Sequence, residues 1–146
     1  RLEFLGIPAL RAIALIENRL AFFSWTSYLI AEFIEGQTVG ECLRDANGSD
    51  NKLPEMEGLR DIFSKLSYFQ LSHGDLKASN LLISGHKPVL IDLDSMSEYS
   101  RKRKFRRAFR CDLERFMENW KTQPVIRKEL IKLLSDLIEE FGVTVK

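Results

Sequence analysis

Two apolar runs dominate the first quarter of the chain and predict a pair of β-strands. They extend from Ile7 to Glu17 and from Phe22 to Ile34, and Asn18-Arg19 between them is a reasonable turn. The second run consists almost entirely of aromatic, aliphatic and Thr residues, which is typical of a strand buried on at least one face. It ends at Glu35-Gly36, where Gly permits a sharp change of direction.

Helical periodicity begins directly after these runs. Thr38 is a suitable N-cap for a short helix from Val39 to Ala46, and the polar segment from Asn47 to Asn51 predicts a loop. Pro54 suits the first turn of a second helix. Apolar positions then recur every three or four residues, as in an amphipathic helix: Met56, Leu59, Ile62, Phe63, Leu66 and Phe69.

The second half of the chain predicts a β-hairpin followed by two long helices. Residues 80–83 and 88–93 are short apolar runs joined by Ser84-Gly85-His86-Lys87. A last amphipathic helix is predicted from Val125 to Phe141, closed by Gly142. The order of elements indicates an α+β fold with strands before helices. The first of the two helices carries a stripe of Phe105, Phe109, Leu113, Phe116 and Trp120.

Composition narrows the class of protein. The apolar and charged fractions are those of a soluble globular domain, and no run of eighteen apolar residues could cross a membrane. The chain starts at Arg1 with no signal-peptide pattern, which suggests truncation at the N-terminus. Cys42 and Cys111 are too few and too far apart for a disulfide scaffold or a zinc site. We therefore expect buried free thiols and a cytoplasmic location.

The polar residues around the predicted hairpin favour phosphoryl transfer, which needs an acceptor for a hydroxyl proton, cations on the phosphate and oxygen ligands for Mg²⁺. Asp75 can orient the attacking hydroxyl and accept its proton, and Lys77 can neutralise charge on the transferred group. Asn80 and Asp92, twelve residues apart, supply oxygen donors of the kind Mg²⁺ prefers. The hairpin returns these two residues to one end.

At this point the chain resembles the protein-kinase-like superfamily. His73-Gly74-Asp75-Leu76-Lys77-Ala78-Ser79-Asn80 matches the catalytic-loop pattern H-x-D-L-x-x-x-N, and residues 91–94 lie where D-F-G belongs. Gly74 stands where many protein kinases have Arg, the link after residue 94 is short, and no A-P-E segment follows. The segments HGDLKASNLL, PVLIDLDSM and RRAFRCDLERFMENW look most like the lipopolysaccharide core (Kdo and heptose) kinases, in particular their toluene-tolerance-protein relatives.

That resemblance implies a protein-kinase-like fold that binds ATP and Mg²⁺ between two lobes. Residues 1–36 would be the last strands and hinge of an incomplete N-lobe, and residues 37–146 a mostly helical C-lobe with a catalytic β-hairpin. In the hinge, residues 31–34, backbone groups of Glu32 and Ile34 would bond adenine, with Leu82 beneath the ring. His73 would hold the loop, and Asp112 would hydrogen-bond its backbone. For Asp94, metal-side and structural roles are both open.

The resemblance also implies what the sequence lacks. It contains no G-x-G-x-x-G loop and no strand Lys paired with a helical Glu, so it begins about where the fourth strand of a kinase N-lobe would. We expect the 146 residues alone to bind ATP poorly and to turn over slowly.

Charge is distributed unevenly. Residues 1–98 carry 9 Lys and Arg against 14 Asp and Glu, whereas residues 99–146 carry 13 against 7. The segment from Arg101 to Arg110 holds seven positive charges in ten positions, either as a solvated helix face or as a contact with anionic lipid at the inner membrane surface. No recognition motif accompanies it, so nucleic acid is not expected.

The function predicted is thus an ATP- and Mg²⁺-dependent kinase that phosphorylates a sugar hydroxyl of lipopolysaccharide core or a related glycolipid. Three alternatives remain open: a compact serine/threonine protein kinase, a small-molecule kinase of the aminoglycoside type, and a non-catalytic kinase-like binding module.

Overall fold

A computed structural model describes residues 1–20, 23–45 and 53–144 of the chain. In this part the chain forms seven strands, five α-helices and three short 3-10 turns. The strands are β1 Ala12–Leu20, β2 Phe23–Ala31, β3 Gln37–Thr38, β4 Leu71–Ser72, β5 Leu81–Ser84, β6 Lys87–Leu90 and β7 Ser97–Glu98. The helices are α1 Val39–Asp45, α2 Leu53–Tyr68, α3 Lys102–Glu118, α4 Pro124–Leu133 and α5 Ser135–Phe141.

Strands β1 and β2 form the predicted antiparallel pair, with changed boundaries. Asn18 and Arg19 were expected to turn, but they lie within β1 opposite β2, so that prediction was wrong. The segment from Ile7 to Leu10 was expected to belong to β1. Instead it joins the edge of β6, where Leu10 N–H donates to the carbonyl of Leu90 at 2.8 Å. A strand at a sheet edge leaves backbone groups unpaired, and this segment pairs them.

The apolar side chains of the β1–β2 hairpin are largely exposed. In β2, Tyr28, Leu29 and Ile30 expose 61, 53 and 45% of their surface, and Ile13 and Leu15 in β1 are similarly open. Consecutive residues of a strand point to opposite faces, so both faces are apolar and open to solvent. The expectation of burial on one face is therefore wrong for these residues.

Strands β3, β5 and β6 form a small antiparallel sheet that carries the predicted hairpin. The hairpin turns through Gly85 and His86, which both have positive φ, 54° and 65°, as a two-residue type I′ turn requires. The chain reaches β3 through Gly36, where a Cβ atom would collide with the carbonyl of Ile83. Close approach of two backbones therefore explains this Gly better than a sharp turn does.

Helix α1 starts with the predicted cap. Thr38 Oγ1 accepts from the N–H of Glu41 at 3.1 Å, and the Glu41 carboxylate accepts from the N–H of Thr38 at 2.9 Å. This reciprocal pair is a capping box. The hydrogen bonds with Thr38 lower the pKa of Glu41. The loop predicted from Asn47 to Asn51 lies outside the described residues.

Helices α2 and α3 supply a large share of the core and confirm the predicted stripes. Leu59, Ile62, Phe63 and Leu66 of α2 are fully buried, and ring centroids of Phe63 and Phe116 lie 5.0 Å apart. The whole second stripe is buried, including Trp120 just beyond the end of α3: Phe105, Phe109, Leu113, Phe116 and Trp120.

The C-terminal helix predicted from Val125 to Phe141 is two helices. Leu134, with φ −104° and ψ 17°, leaves the helical conformation between α4 and α5 and is itself fully buried. The break lets Leu130 of α4 and Phe141 of α5 both reach the core. Gly142 closes α5 in a left-handed conformation, as predicted.

Cys42 and Cys111 form no disulfide, and they are not buried as expected. Cys111 is exposed on α3 and Cys42 is half-buried on α1. Neither lies on the buried stripe of its helix.

Candidate active site

The loop from His73 to Asn80 connects two small sheets. It begins after β4, which pairs with β7, and ends at β5. Since β7 follows Asp92 by only a few residues, these pairings bring the loop and the segment after β6 to one side of the core. This confirms that the hairpin returns residue 92 to the loop.

A buried carboxylate on α3 fixes the start of the loop. Asp112, 2% exposed, accepts hydrogen bonds from Ser72 Oγ and His73 N–H, both at 2.7 Å, and from Gly74 N–H at 3.0 Å. Burial raises the pKa of Asp112, and the hydrogen bond from Ser72 is the largest opposing effect. The contact expected between Asp112 and the loop backbone is present.

His73 lies in the interior beneath the loop. It is fully buried, and its Nε2 lies 3.0 Å from the carbonyl of Ile91, the residue before Asp92. The ring thus joins the loop to the end of β6 from inside the core. Such a position fits the structural part expected of His73, since a catalytic imidazole must reach substrate.

Asp75 is held between two cations. Lys77 Nζ donates to its Oδ2 at 2.7 Å, and Arg115 Nη1 donates to its Oδ1 at 2.7 Å. Asn80 Nδ2 donates to the backbone carbonyl of Asp75 at 2.8 Å. The hydrogen bond from Lys77 is the main cause of a lowered pKa of Asp75, and Arg115 adds to it. The carboxyl group is therefore ionised at neutral pH and can accept a hydrogen bond from a hydroxyl.

Two residues that hold this loop were not singled out from the sequence. Besides bonding Asp75, Arg115 Nη1 donates to the carbonyl of Gly74 at 2.8 Å, and Asn119 Oδ1 accepts from the N–H of Ala78 at 3.4 Å. Together with Asp112 they occupy positions i, i+3 and i+7 of one helix, hence one face. In the sequence, the spacing of Arg115 and Asn119 from Asp112 was the signal that could have identified these two residues.

Asn80 and Asp92 are adjacent across the hairpin. The N–H of Ile91 donates to the carbonyl of Asn80 at 3.0 Å, which puts the following residue, Asp92, beside it. Asp92 is exposed and left-handed at φ 56°, a conformation that Asp tolerates better than most residues do. Asp94 is exposed in the 3-10 turn Leu93–Ser95.

The donor chemistry of this pair fits a magnesium ion. The Asn80 amide nitrogen donates to the carbonyl of Asp75. Its amide oxygen accepts one long hydrogen bond, from Ser79 Oγ at 3.4 Å, and keeps a second lone pair for a metal ion. Among the described residues, no three His, Cys, Asp or Glu side chains are grouped closely enough to hold a metal by themselves. Mg²⁺ in kinases needs only one or two protein ligands, because substrate phosphates and water complete its shell.

Gly74 is required where the loop passes the segment after Asp92. Its φ is +83°, and a Cβ atom there would lie 2.6 Å from the carbonyl oxygen of Ser95. This close approach explains why the loop has Gly where many protein kinases have Arg.

Gly74→Ala is accordingly expected to destabilise the fold by about 2–5 kcal/mol, from left-handed strain plus overpacking. Gly85→Ala is the matched control, because Gly85 also has positive φ, +54°, but no atom lies within 4 Å of the added Cβ. It should cost about 1–2 kcal/mol. Urea unfolding of both variants measures the difference, and equal losses would exclude the Ser95 contact as the cause.

The expected adenine-binding residues lie at two places. Glu32 directly follows β2, and its N–H donates to the carbonyl of Arg11 at 3.0 Å, so its own carbonyl is the backbone group left for a ligand. Leu82 is half-buried in β5, on the face opposite the fully buried Leu81. It thus lies two residues from Asn80 and points away from the core. Ile34 follows two residues after Glu32.

A family model, the lipopolysaccharide kinase (Kdo/WaaP) family, matches residues 1–136. No curated protein sequence matches the chain directly. Among solved structures, "WaaP in complex with acyl carrier protein" is similar over 97% of this chain and 69% of that one, with 15% identity and a TM-score of 0.59. This likeness confirms the predicted protein-kinase-like fold, and the family match confirms the prediction of a kinase. The chain belongs to the lipopolysaccharide kinase (Kdo/WaaP) family.

Proposed function

We propose that the protein transfers the γ-phosphoryl group of ATP to a sugar hydroxyl of lipopolysaccharide core or a related glycolipid. One observation carries the proposal: in a chain of the lipopolysaccharide kinase family, an ionised Asp75 lies between Lys77 and Arg115 and contacts Asn80. The family supplies the acceptor class, and the loop geometry supplies the chemistry.

In this proposal Asp75 is the catalytic base. The acceptor oxygen attacks the γ-phosphorus, the bond to the ADP oxygen breaks, and the hydroxyl proton passes to the Asp75 carboxylate. A base whose pKa is lowered is weak, but phosphoryl transfer passes through a loose transition state in which catalysis depends mainly on positioning and electrostatic stabilisation. Orientation of the hydroxyl therefore matters more than the strength of the base.

Lys77 and the pair of oxygen ligands act on the donor side. Lys77 is about half exposed, so its ammonium group can reach the transferred phosphoryl group and offset its charge. Asn80 and Asp92 would hold Mg²⁺, which neutralises phosphate charge when bound. We assign adenine to the backbone of Glu32 and Ile34, with Leu82 against the ring. In this assignment residues 1–36 belong to the N-lobe and residues 37–146 to the C-lobe.

A panel of acceptors tests the proposal against its alternatives. The complete gene product, supplied with γ-labelled ATP and Mg²⁺, should label lipopolysaccharide core but not a generic protein substrate or an aminoglycoside. Label in protein alone would favour a compact protein kinase, and label in the aminoglycoside a small-molecule kinase. Absence of transfer to every acceptor would favour the non-catalytic module.

The basic segment from Arg101 to Arg110 supports a peripheral contact with anionic lipid on the cytoplasmic face of the inner membrane. In the described part of the chain no helix has the length and apolar character needed to cross a bilayer. Within the segment, Arg106 pairs with Glu140 and Arg110 with Glu114. The described residues supply no ion-pair partner for the other five. Cations at a helix N-terminus oppose the helix dipole, so an external anion would relieve that cost.

Replacing four of these five cations with Gln is expected to abolish binding to anionic vesicles, because each cation contributes on the order of 1 kcal/mol at such a surface. The control variant changes Lys87, Lys121, Lys128 and Lys132 to Gln, which removes the same charge elsewhere. Flotation with vesicles measures binding, and equal binding of both variants would contradict the contact. The test variant changes Arg101, Arg103, Lys104 and Arg107.

A further inference from the structure

Arg115 is a charged side chain that contacts both the Asp75 carboxylate and the loop backbone. Its Nη1 donates both to Asp75 Oδ1 at 2.7 Å and to the backbone carbonyl of Gly74 at 2.8 Å. A single nitrogen thus donates hydrogen bonds to both the carboxylate and the neighbouring backbone carbonyl. Asn80 Nδ2 makes a comparable pair of contacts, to the carbonyl of Asp75 at 2.8 Å and to its Oδ2 at 3.4 Å, but it carries no charge. A guanidinium group suits this task, because it is always charged and its donors have fixed directions.

Lys77 contacts Asp75 in a different way from Arg115. Lys77 reaches Asp75 only through the tip of a flexible side chain, at Oδ2, and its proposed partner during transfer is the phosphoryl group. When Lys77 turns toward phosphate, Oδ2 loses that ion pair. Arg115 touches no group that must move, because its second contact is the loop backbone itself.

Helix α3, which carries Arg115, is firmly packed against the rest of the fold. Helix α3 buries Phe109, Leu113 and Phe116 in the core. On the face toward the loop, Asp112 holds the N–H groups of His73 and Gly74. The position of Arg115 relative to the loop is therefore fixed by the fold, not by a mobile segment.

We propose that Arg115 is a positioning residue that keeps the Asp75 carboxylate aimed at the acceptor hydroxyl while Lys77 is engaged with phosphate. This inference rests on the proposed function, since it concerns the same site. It also implies that the catalytic loop is held in place without phosphorylation of the segment after Asp92, because the guanidinium group comes from α3.

The test compares Arg115→Met with Arg60→Met in the complete gene product. Arg60 is also a half-exposed helical Arg that pairs with an Asp, Asp136 at 3.1 Å, but it lies away from the loop. Arg115→Met should lower kcat on the order of a hundredfold, as expected for a misplaced catalytic group, while KM for ATP changes little. Methylguanidine in the assay should restore part of kcat. Arg60→Met should leave kcat unchanged.

Amide hydrogen exchange gives a second readout that does not need activity. In Arg115→Met, amides of residues 73–77 should exchange faster while those of Phe63 and Phe116 stay protected. An unchanged kcat, or unchanged exchange of the loop, overturns the inference. Faster exchange of loop and core together would mean a merely structural role and also overturns it. If the wild type transfers no phosphate, the proposed function fails, and the exchange data still decide whether Arg115 positions the loop.

Discussion

Replacing Asp75 with Asn is expected to reduce phosphoryl transfer by about 10²- to 10⁴-fold, the range for loss of a general base. The amide of Asn cannot take up the hydroxyl proton, and it no longer attracts Lys77 and Arg115, which bond the carboxylate at 2.7 Å. KM for ATP should change little, because Asp75 acts on the acceptor. Initial rates over a range of ATP and acceptor concentrations separate kcat from KM.

Asp136→Asn is the matched control for this variant. Asp136 is also an Asp in an ion pair with Arg, although its side chain is more exposed than that of Asp75, and it lies on α5 with Arg60 as its partner. Loss of this ion pair should leave the rate of phosphoryl transfer unchanged. Ion pairs of solvent-accessible groups contribute little to stability. The free energy of unfolding of both variants should therefore be only slightly below that of the wild type. Activity of Asp75→Asn near that of Asp136→Asn would rule out Asp75 as the base.

Asp112→Ala should have the largest effect on stability, a loss on the order of 3–5 kcal/mol. The substitution leaves Ser72 Oγ and the N–H groups of His73 and Gly74 without their acceptor in the interior. Each unpaired buried polar group costs about 1–3 kcal/mol. Urea unfolding measures the loss. Activity should fall as well, because the loop that carries Asp75 is no longer held at its start.

Ser72→Ala provides the comparison for Asp112→Ala. It removes one of the three donors and leaves the carboxylate bound to both backbone groups, so it should cost only about 1 kcal/mol. A loss for Asp112→Ala as small as that for Ser72→Ala would mean that water replaces the carboxylate, and that the loop is held by other contacts.

The sequence predicted those elements whose signals are local. The two-residue turn of the β5–β6 hairpin, the Thr38 cap and the apolar stripes of α2 and α3 depend on residues close together in the chain. The loop from His73 to Asn80 and its partner Asp92 were recognisable because their motif is compact. These features could be predicted without knowing which residues pack against them.

The features that the sequence did not predict depend on distant contacts. Arg115 lies 40 residues from Asp75, and only packing of α3 under the loop brings them together. Strands β3, β4 and β7 have two residues each and exist because of their partners, since so short a run carries no period-two pattern. The break at Leu134 involves neither Pro nor Gly, the residues that usually signal a helix end.

The exposed β1–β2 hairpin illustrates the same difference. Its residues have the composition of a buried strand, and the sequence therefore predicted burial. Burial depends on what lies against a strand, however, and in the described residues Tyr28, Leu29 and Ile30 remain open to solvent.

Identification of the product tests the central claim most directly. Lipopolysaccharide core treated with dephosphorylating enzyme is incubated with the complete gene product, Mg²⁺ and γ-labelled ATP, and the labelled group is located by NMR and mass spectrometry. The account predicts a phosphomonoester on a sugar hydroxyl, formed by the wild type and not by Asp75→Asn. Label found only as free phosphate or on protein, or an equal yield from both proteins, would contradict it.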